Sequence, residues 1–218
     1  MYVFLLVVDE RSNTIHMRQG FLYAISLIFL IGFSPPLLGA ESEEFNAYFE
    51  GLTTHWVDGK VGFIEEDGHI AIPPKYESAM SFSEGKSGVR VNSKWGFIDK
   101  AAKMIIEPQF DEVKLFHEGL AAVRTDKLWG FIDLNGRIVI KPQYESARDF
   151  SEGLAGVETN GKWGYINMRG NLVIPAEYGL VTNFDHGTAR VYEAKPVKRP
   201  KDVMSWVINW RGEKIRKE

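Results

Sequence analysis

Tryptophan residues recur at a fixed spacing along this chain of 218 residues. Trp95, Trp129 and Trp163 lie 34 residues apart, and each is followed by Gly. A row of exposed indole rings could stack against sugars, whereas buried rings would pack one repeated unit against the next. An indole ring is amphipathic and suits either role. We interpret the row as part of the core.

Carboxylates recur with the same period. Glu84, Glu118 and Glu152 each precede a Gly, and Asp99 and Asp133 each end the repeated Trp phrase. A hard cation such as Ca²⁺ takes about six or more oxygen ligands that converge on one point. One carboxylate per unit does not provide that convergence. We therefore interpret these residues as caps of turns and backbone groups next to Gly.

The C-terminal end combines basic and aromatic side chains. From residue 195 onward there are eight Lys and Arg residues and three acidic ones, which indicates an anionic partner. In an exported protein this favours an envelope polymer or lipid head group over nucleic acid. A solvated basic loop is the alternative. The candidate binding residues are Lys198, Arg199, Lys201, Trp206 and Trp210.

Motifs of the common catalytic and cofactor-binding classes are missing from the sequence. There is no Cys, which excludes disulfides and thiol nucleophiles, and the five His residues lack zinc-ligand spacing. Neither a Gly-x-Ser-x-Gly motif nor a phosphate-binding loop is present. The paired carboxylates of a glycosidase come together only in space, so the sequence does not exclude a glycosidase. We predict a non-enzymatic protein without a metal or cofactor.

Short β-like runs must position these residues. In the best-defined unit they cover 119–125, 129–133 and 136–140. Apolar positions alternate in these runs, and Gly or Pro interrupts the pattern roughly every ten residues, which predicts strands rather than a helix pair. The dipeptide Asn160-Gly161 predicts a tight hairpin between the first two runs.

Two further features follow from aligning the units with one another. The linking segments, such as 143–153, are predicted to be irregular or single-turn crossovers. Gly136 ends the turn after Asp133, and Ala102 takes the equivalent place after Asp99. If the turns share one geometry, Ala102 has a positive φ, a conformation that favours Gly.

The period defines five units, the last of which contains an insertion at about 195–204. We predict an all-β fold of tandem 34-residue repeats, each a three-stranded antiparallel meander, stacked as an open solenoid-like array. A small five-bladed propeller is the alternative. The units cover roughly 50–74, 85–108, 119–142, 153–176 and 187–217.

The phrase Lys-Trp-Gly-Phe-Ile-Asp at 94–99 and the phrase Phe-Ser-Glu-Gly-Leu-Ala at 150–155 resemble the WG (also called KWG) repeat family. The resemblance covers 48–192 well and the last unit poorly. It implies an all-β repeat array that serves as a binding or scaffolding part, with no agreed ligand or catalytic residues. The departures are Val61 for Trp, Lys86 for Leu, Ala102 for Gly and Ala176 for Pro.

An apolar segment at 20–33 follows Arg18 and leads into small residues, the pattern of a secretory signal peptide. We predict a signal region at 1–40, with Met17 the more natural start, and a mature domain at 41–218. An uncleaved anchor is the alternative. The protein is then expected to be periplasmic, envelope-associated or secreted, a monomer, and without stable membrane insertion after cleavage.

These observations lead to one functional hypothesis and one alternative. The first is an exported, non-enzymatic binding or scaffolding module that presents a repeat surface to a protein or an anionic envelope polymer. The alternative is a carbohydrate-binding or carbohydrate-active protein that uses aromatic platforms.

Overall fold

The structure, a computed structural model, describes residues 7–9, 14–16, 49–194 and 204–217. The chain divides into two compact units at residues 47 and 48. In the first, β1 (Val7–Asp9) pairs antiparallel with β2 (Thr14–His16). The apolar segment of the predicted signal region lies outside the described residues. No helix among the described residues has the length and apolar character needed to cross a membrane.

The second compact unit contains the repeats, and its described elements are all strands. The first three repeats comprise β3 (Leu52–Val57), β4 (Lys60–Glu65), β5 (Ile70–Tyr76), β6 (Ser78–Ala79), β7 (Lys86–Val91), β8 (Lys94–Asp99), β9 (Met104–Phe110), β10 (Glu112–His117), β11 (Leu120–Thr125), β12 (Leu128–Asp133) and β13 (Ile138–Tyr144). The last two comprise β14 (Ser146–Ala147), β15 (Leu154–Thr159), β16 (Lys162–Asn167), β17 (Leu172–Val181), β18 (Thr188–Glu193), β19 (Ser205–Asn209) and β20 (Lys214–Lys217).

The predicted fold class is confirmed. The chain is an all-β, open, solenoid-like array of tandem repeats, and each unit contains the expected antiparallel meander. In the third unit, β11 pairs with β12 from Leu120↔Asp133 to Thr125↔Leu128. The two residues between these strands, Asp126 and Lys127, have φ values of 50° and 72°. Positive φ at both central positions is the geometry of the tight hairpin turn that matches strand twist.

The predicted conformation of the linking segments is wrong, because these segments contribute a further strand. The β6 strand pairs with β7, the first long strand of the next meander, through Ser78↔Arg90 and Ala79↔Val89. The strands β10, β14 and the end of β17 pair in the same way. A strand at a sheet edge leaves backbone N–H and C=O groups without partners, and the linker supplies those partners.

In the last two units this linker is continuous with the preceding strand. The ten residues of β17 pair with β16 at one end and with β18 at the other, so both units share one seven-stranded sheet. The β18 and β19 strands pair as far as Tyr192↔Ser205. The predicted insertion therefore lies in the hairpin loop between these two strands, as expected.

The Gly after each repeated Trp lies where two backbones come close together. A Cβ atom built on Gly96 would lie 2.3 Å from the carbonyl oxygen of Ile106 and 2.7 Å from the nitrogen of Pro108. The register between β8 and β9 shifts between Trp95 and Phe97 at this point. Only a residue without a side chain fits here, which gives the Trp-Gly phrase its physical basis.

The core lies between consecutive units. The rings of Phe131 and Phe150 pack edge to face, 4.8 Å apart, and both side chains are fully buried. Phe131 belongs to β12, whereas Phe150 belongs to the linker that leads into the fourth unit. Their cluster includes Leu120 from the third unit and Val157 from the fourth. The same aromatic pair recurs as Phe63–Phe82, Phe97–Phe116 and Tyr165–Phe184.

The turns after the second strand of each meander share one geometry, as predicted. Ala102 has a φ of 59°, and its N–H donates to the Asp99 carbonyl at 3.0 Å. Gly136 has a φ of 81°, and its N–H donates to the Asp133 carbonyl at 2.9 Å. The positive φ expected at Ala102 is therefore confirmed.

Candidate functional site

The repeated Trp residues belong to the core, as the sequence suggested. The side chains of Trp129 and Trp163 are 9% and 8% exposed, and Trp95 is half-buried. Val61, which takes the same place in the first unit, is fully buried. These rings therefore pack units together and do not form a row of open platforms.

Basic side chains cover the buried Trp rings. The Nζ atom of Lys114 lies 5.6 Å from the centroid of the Trp129 ring and donates to the carbonyl of Ala147 at 2.7 Å. Burial lowers the pKa of this Lys, an effect that the nearby Asp149 carboxylate opposes. Arg148 lies over Trp163 in the next unit at 5.3 Å. Lys114 therefore joins the third unit to the linker of the fourth, and Arg148 packs on the Trp ring of its own unit.

The Glu of each Glu-Gly pair bonds the following unit, which sequence reasoning missed. The Glu118 carboxylate accepts hydrogen bonds from the N–H groups of Glu152 at 2.7 Å and Gly153 at 2.9 Å. The same type of contact joins Glu50 to Gly85, Glu84 to Gly119 and Glu152 to Gly187. These carboxylates form a ladder along the array, which excludes the simpler interpretation that each caps its own turn.

One residue type in the sequence could have indicated this ladder. In the last unit the place of the Glu is taken by His186, and no unit follows it in the described part of the chain. A Glu that capped its own turn would stabilise the last unit as well. A Glu that reaches the next unit would find no such partner among the described residues.

The repeated Asp residues do cap their own turns. The Oδ1 atom of Asp99 accepts from the N–H groups of Ala101 at 3.0 Å and Lys103 at 2.9 Å. Asp133 makes the equivalent pair of contacts in the third unit. Across residues 49–194 and 204–217 no three His, Asp or Glu side chains gather in a way that could hold a metal ion.

A second set of carboxylates, in the linkers, caps the hairpins. Glu145 accepts from the N–H groups of Asn160 at 2.9 Å and Gly161 at 3.0 Å. The Asp111 carboxylate accepts in the same way from the N–H group of Asp126 at 3.1 Å. A hydrogen bond from Lys94 lowers the pKa of Asp111. In the last unit Gly179 takes this place, and there the insertion replaces the tight hairpin.

One of the predicted binding residues lies in a cluster of charges. Trp206 on β19 is half-buried, and its indole N–H donates to Glu193 at 3.3 Å. The Nζ atoms of Lys214 and Lys217 lie 5.0 Å and 5.9 Å from the centroid of its ring. Antiparallel pairing sets Trp206 opposite Lys217, which explains why these groups meet.

Trp210 lies in the turn between β19 and β20 and is 59% exposed. The guanidinium carbon of Arg211 lies 4.5 Å from the centroid of its ring. Asn209 holds the turn by accepting from the N–H groups of Arg211 and Glu213, both at 3.0 Å. No ring contact joins the two Trp residues within 204–217. Trp206 and Trp210 are therefore two separate aromatic positions.

The remaining predicted binding residues, Lys198, Arg199 and Lys201, lie outside the described residues. Instead, the described basic surface centres on β20, whose four residues are all exposed. We call this strand, with its side chains Lys214, Ile215, Arg216 and Lys217, the basic edge. Sequence reasoning counted its charges but did not select its residues. The signal was the density of basic residues after Gly212.

A family model described as "WG containing repeat" matches four consecutive segments, residues 62–95, 95–129, 129–163 and 163–193. The matched region covers more than half of the chain. No curated protein matches the sequence significantly.

The solved structures that resemble the chain include two of low sequence identity. Hsv2 of Kluyveromyces lactis is 8% identical with a TM-score of 0.49, and the match covers 77% of this chain and 59% of that one. The chain thus spans less than two thirds of the length of Hsv2. A protein of unknown function from Bacteroides caccae is 14% identical with a TM-score of 0.35, covering 78% of each chain. At these scores neither likeness defines the fold.

Proposed function

The chain belongs to the WG-repeat family, and on that premise we propose that it is an exported, non-enzymatic binding or scaffolding module. Its units present a surface to a protein or to an anionic envelope polymer. The observation that carries the proposal is the concentration of exposed basic side chains on the basic edge of the last unit, next to the half-buried Trp206 and the exposed Trp210.

The roles of the repeated polar residues support a binding rather than a catalytic function. The carboxylates of Glu118 and Glu145 accept hydrogen bonds from backbone N–H groups of turns. Catalytic carboxylates of a glycosidase would have to face each other across a substrate. The recurrent acidic residues instead hold units and hairpins in place, which suits a scaffold.

Carbohydrate binding is the second candidate, and two exposed rings favour it. Trp56 is 54% exposed and Trp210 is 59% exposed, and open indole faces can stack on sugars. A glycan array separates the two candidates. Binding of neutral glycans that is lost in Trp56→Ala or Trp210→Ala would support the carbohydrate function.

The basic insertion supplies the first test. We expect the triple variant Lys198→Glu, Arg199→Glu, Lys201→Glu to bind a sulfonate column and an anionic envelope polymer less tightly. Its retention should also depend less steeply on salt, because fewer positive charges remain to attract the anionic partner, and salt screens that attraction. The control reverses the exposed hairpin lysines Lys60, Lys127 and Lys162, which changes the net charge equally. Equal retention of both triple variants would contradict a specific anion-binding role for the basic insertion and would favour the alternative of a solvated basic loop.

Export has its own test. We expect the protein recovered from the envelope or medium to begin at Glu41, because the small residues before it form a signal-peptidase site. N-terminal sequencing of the recovered protein checks this. A membrane-bound product that retains residues 1–40 would replace the cleaved form with an anchored one, without affecting the binding proposal.

A further inference from the structure

The β20 strand differs from the strands that end the first three meanders, although the opposite edge strands β3, β6 and β10 also contain no Pro. It is the last strand of the seven-stranded sheet, just as β5, β9 and β13 each end their own sheets. Those three strands contain Pro residues, which lack the N–H group needed to pair with a further strand. The described residues of β20 contain none. The prolines are Pro73, Pro74, Pro108 and Pro142.

The pairing of β19 with β20 contains a register shift, so the side chains of the basic edge do not alternate regularly between the two faces of the sheet. Lys217 lies opposite Trp206 and Lys214 lies opposite Ile208, which sets both Lys residues on the face of the Trp206 ring. Lys214 and Lys217 are held near the Trp206 ring, and Ile215 between them is 58% exposed. A segment beside β20 would therefore meet cations along its length and one aliphatic side chain. Acidic residues interrupted by an apolar one complement this pattern.

The charge and the backbone groups of β20 favour one kind of binding partner over the others. Two copies of β20 would bring like charges opposite each other, which disfavours self-pairing. Polysaccharides and lipid head groups carry the anionic charge but lack the alternating N–H and C=O groups that extend a sheet. An extended acidic polypeptide carries both.

We infer that β20 is the docking edge for an extended, acidic segment of a protein partner, which adds to the sheet as an eighth strand. Backbone pairing supplies the adhesion, and the charges of Lys214 and Lys217 select the acidic sequence. This inference rests on the proposed binding function and names the class of partner.

The test uses a labelled short peptide of alternating Glu and Val, titrated into the full-length protein and followed by fluorescence anisotropy. We expect saturable binding. The same peptide with one central Val replaced by Pro should bind about tenfold more weakly, because Pro removes a ladder donor. Hydrogen exchange of the backbone amides of 214–217 should slow when the Glu–Val peptide binds.

Matched protein variants test the same point from the other side. The variant Lys214→Glu, Lys217→Glu should bind the Glu–Val peptide about tenfold more weakly, because like charges oppose pairing. The variant Lys75→Glu, Lys141→Glu reverses the same number of charges on the Pro-containing edge strands β5 and β13. It should bind like the original protein. Equal losses in both variants would overturn the assignment to β20.

Three other outcomes would also overturn the inference. Equal affinity for the Pro-containing peptide would mean attraction by charge alone. If the peptide does not bind, but phosphatidylglycerol vesicles bind in a way that depends on Lys214 and Lys217, the edge is assigned to a lipid surface. If dextran sulfate binds in that way instead, the edge is assigned to an anionic polymer. If the peptide fails while the anionic-polymer test of residues 198–201 succeeds, the inference falls and the proposed function stands.

Discussion

Replacement of Gly96 by Ala is expected to lower the free energy of unfolding by about 3 kcal/mol. The added methyl group would lie 2.3 Å from the Ile106 carbonyl oxygen and 2.7 Å from the Pro108 nitrogen. Both are backbone atoms, so the clash cannot be relieved by rotating a side chain. The β8 and β9 strands must move apart, which loosens the buried Phe97. Urea denaturation of the two purified proteins measures the loss.

Gly88→Ala is the matched control. It lies in β7, in the same hairpin, and its added methyl group would meet the Val113 side chain at 3.0 Å rather than backbone. Ala122 takes the equivalent place in the third unit. We expect the control to cost about 1 kcal/mol or less. Equal midpoints for the two variants would contradict the close backbone approach at Gly96.

Truncation of Phe150 to Ala should cost about 4 kcal/mol, in the range for large aromatic residues removed from a core. The Phe150 side chain is 1% exposed and packs edge to face on Phe131. It belongs to the linker between the third and fourth units. Because units of an array contact chiefly their neighbours, the loss weakens the coupling between the first three units and the last two. We expect the single unfolding transition to broaden or split.

Phe49→Ala provides the control for this second change, because it makes the same truncation at a residue that is 37% exposed. We expect a loss of about 1 kcal/mol or less and one sharp transition. Calorimetry and far-ultraviolet circular dichroism of the three proteins give the comparison. If Phe150→Ala behaves like Phe49→Ala, the linker residue does not hold the two units together.

Local structure could be predicted from the sequence because the period repeats it several times. The strands, the tight hairpins and the positive φ at Ala102 all follow from residues within a few positions of one another. The burial of Trp129 was also predictable, since one ring per unit at a constant spacing suits a packed interface. Alternation of apolar residues indicates a strand wherever a run is long enough to show it.

The linker strands could not be predicted in this way. The β6 and β14 strands have two residues each, too few to show an alternating pattern. They form because the first long strand of the next unit offers an open edge. That edge exists only once β7 and β15 have paired with the second strands of their own meanders.

The roles of the polar residues show the same difference between local and tertiary contacts. Asp99 caps its own turn, and its place beside a turn predicted that role. Glu118 bonds Gly153, and β20 lies at a sheet edge with Lys214 and Lys217 around Trp206. The 34-residue spacing determines which residues are equivalent, but the tertiary structure decides which residues meet, because a contact between units depends on how one sheet packs against the next.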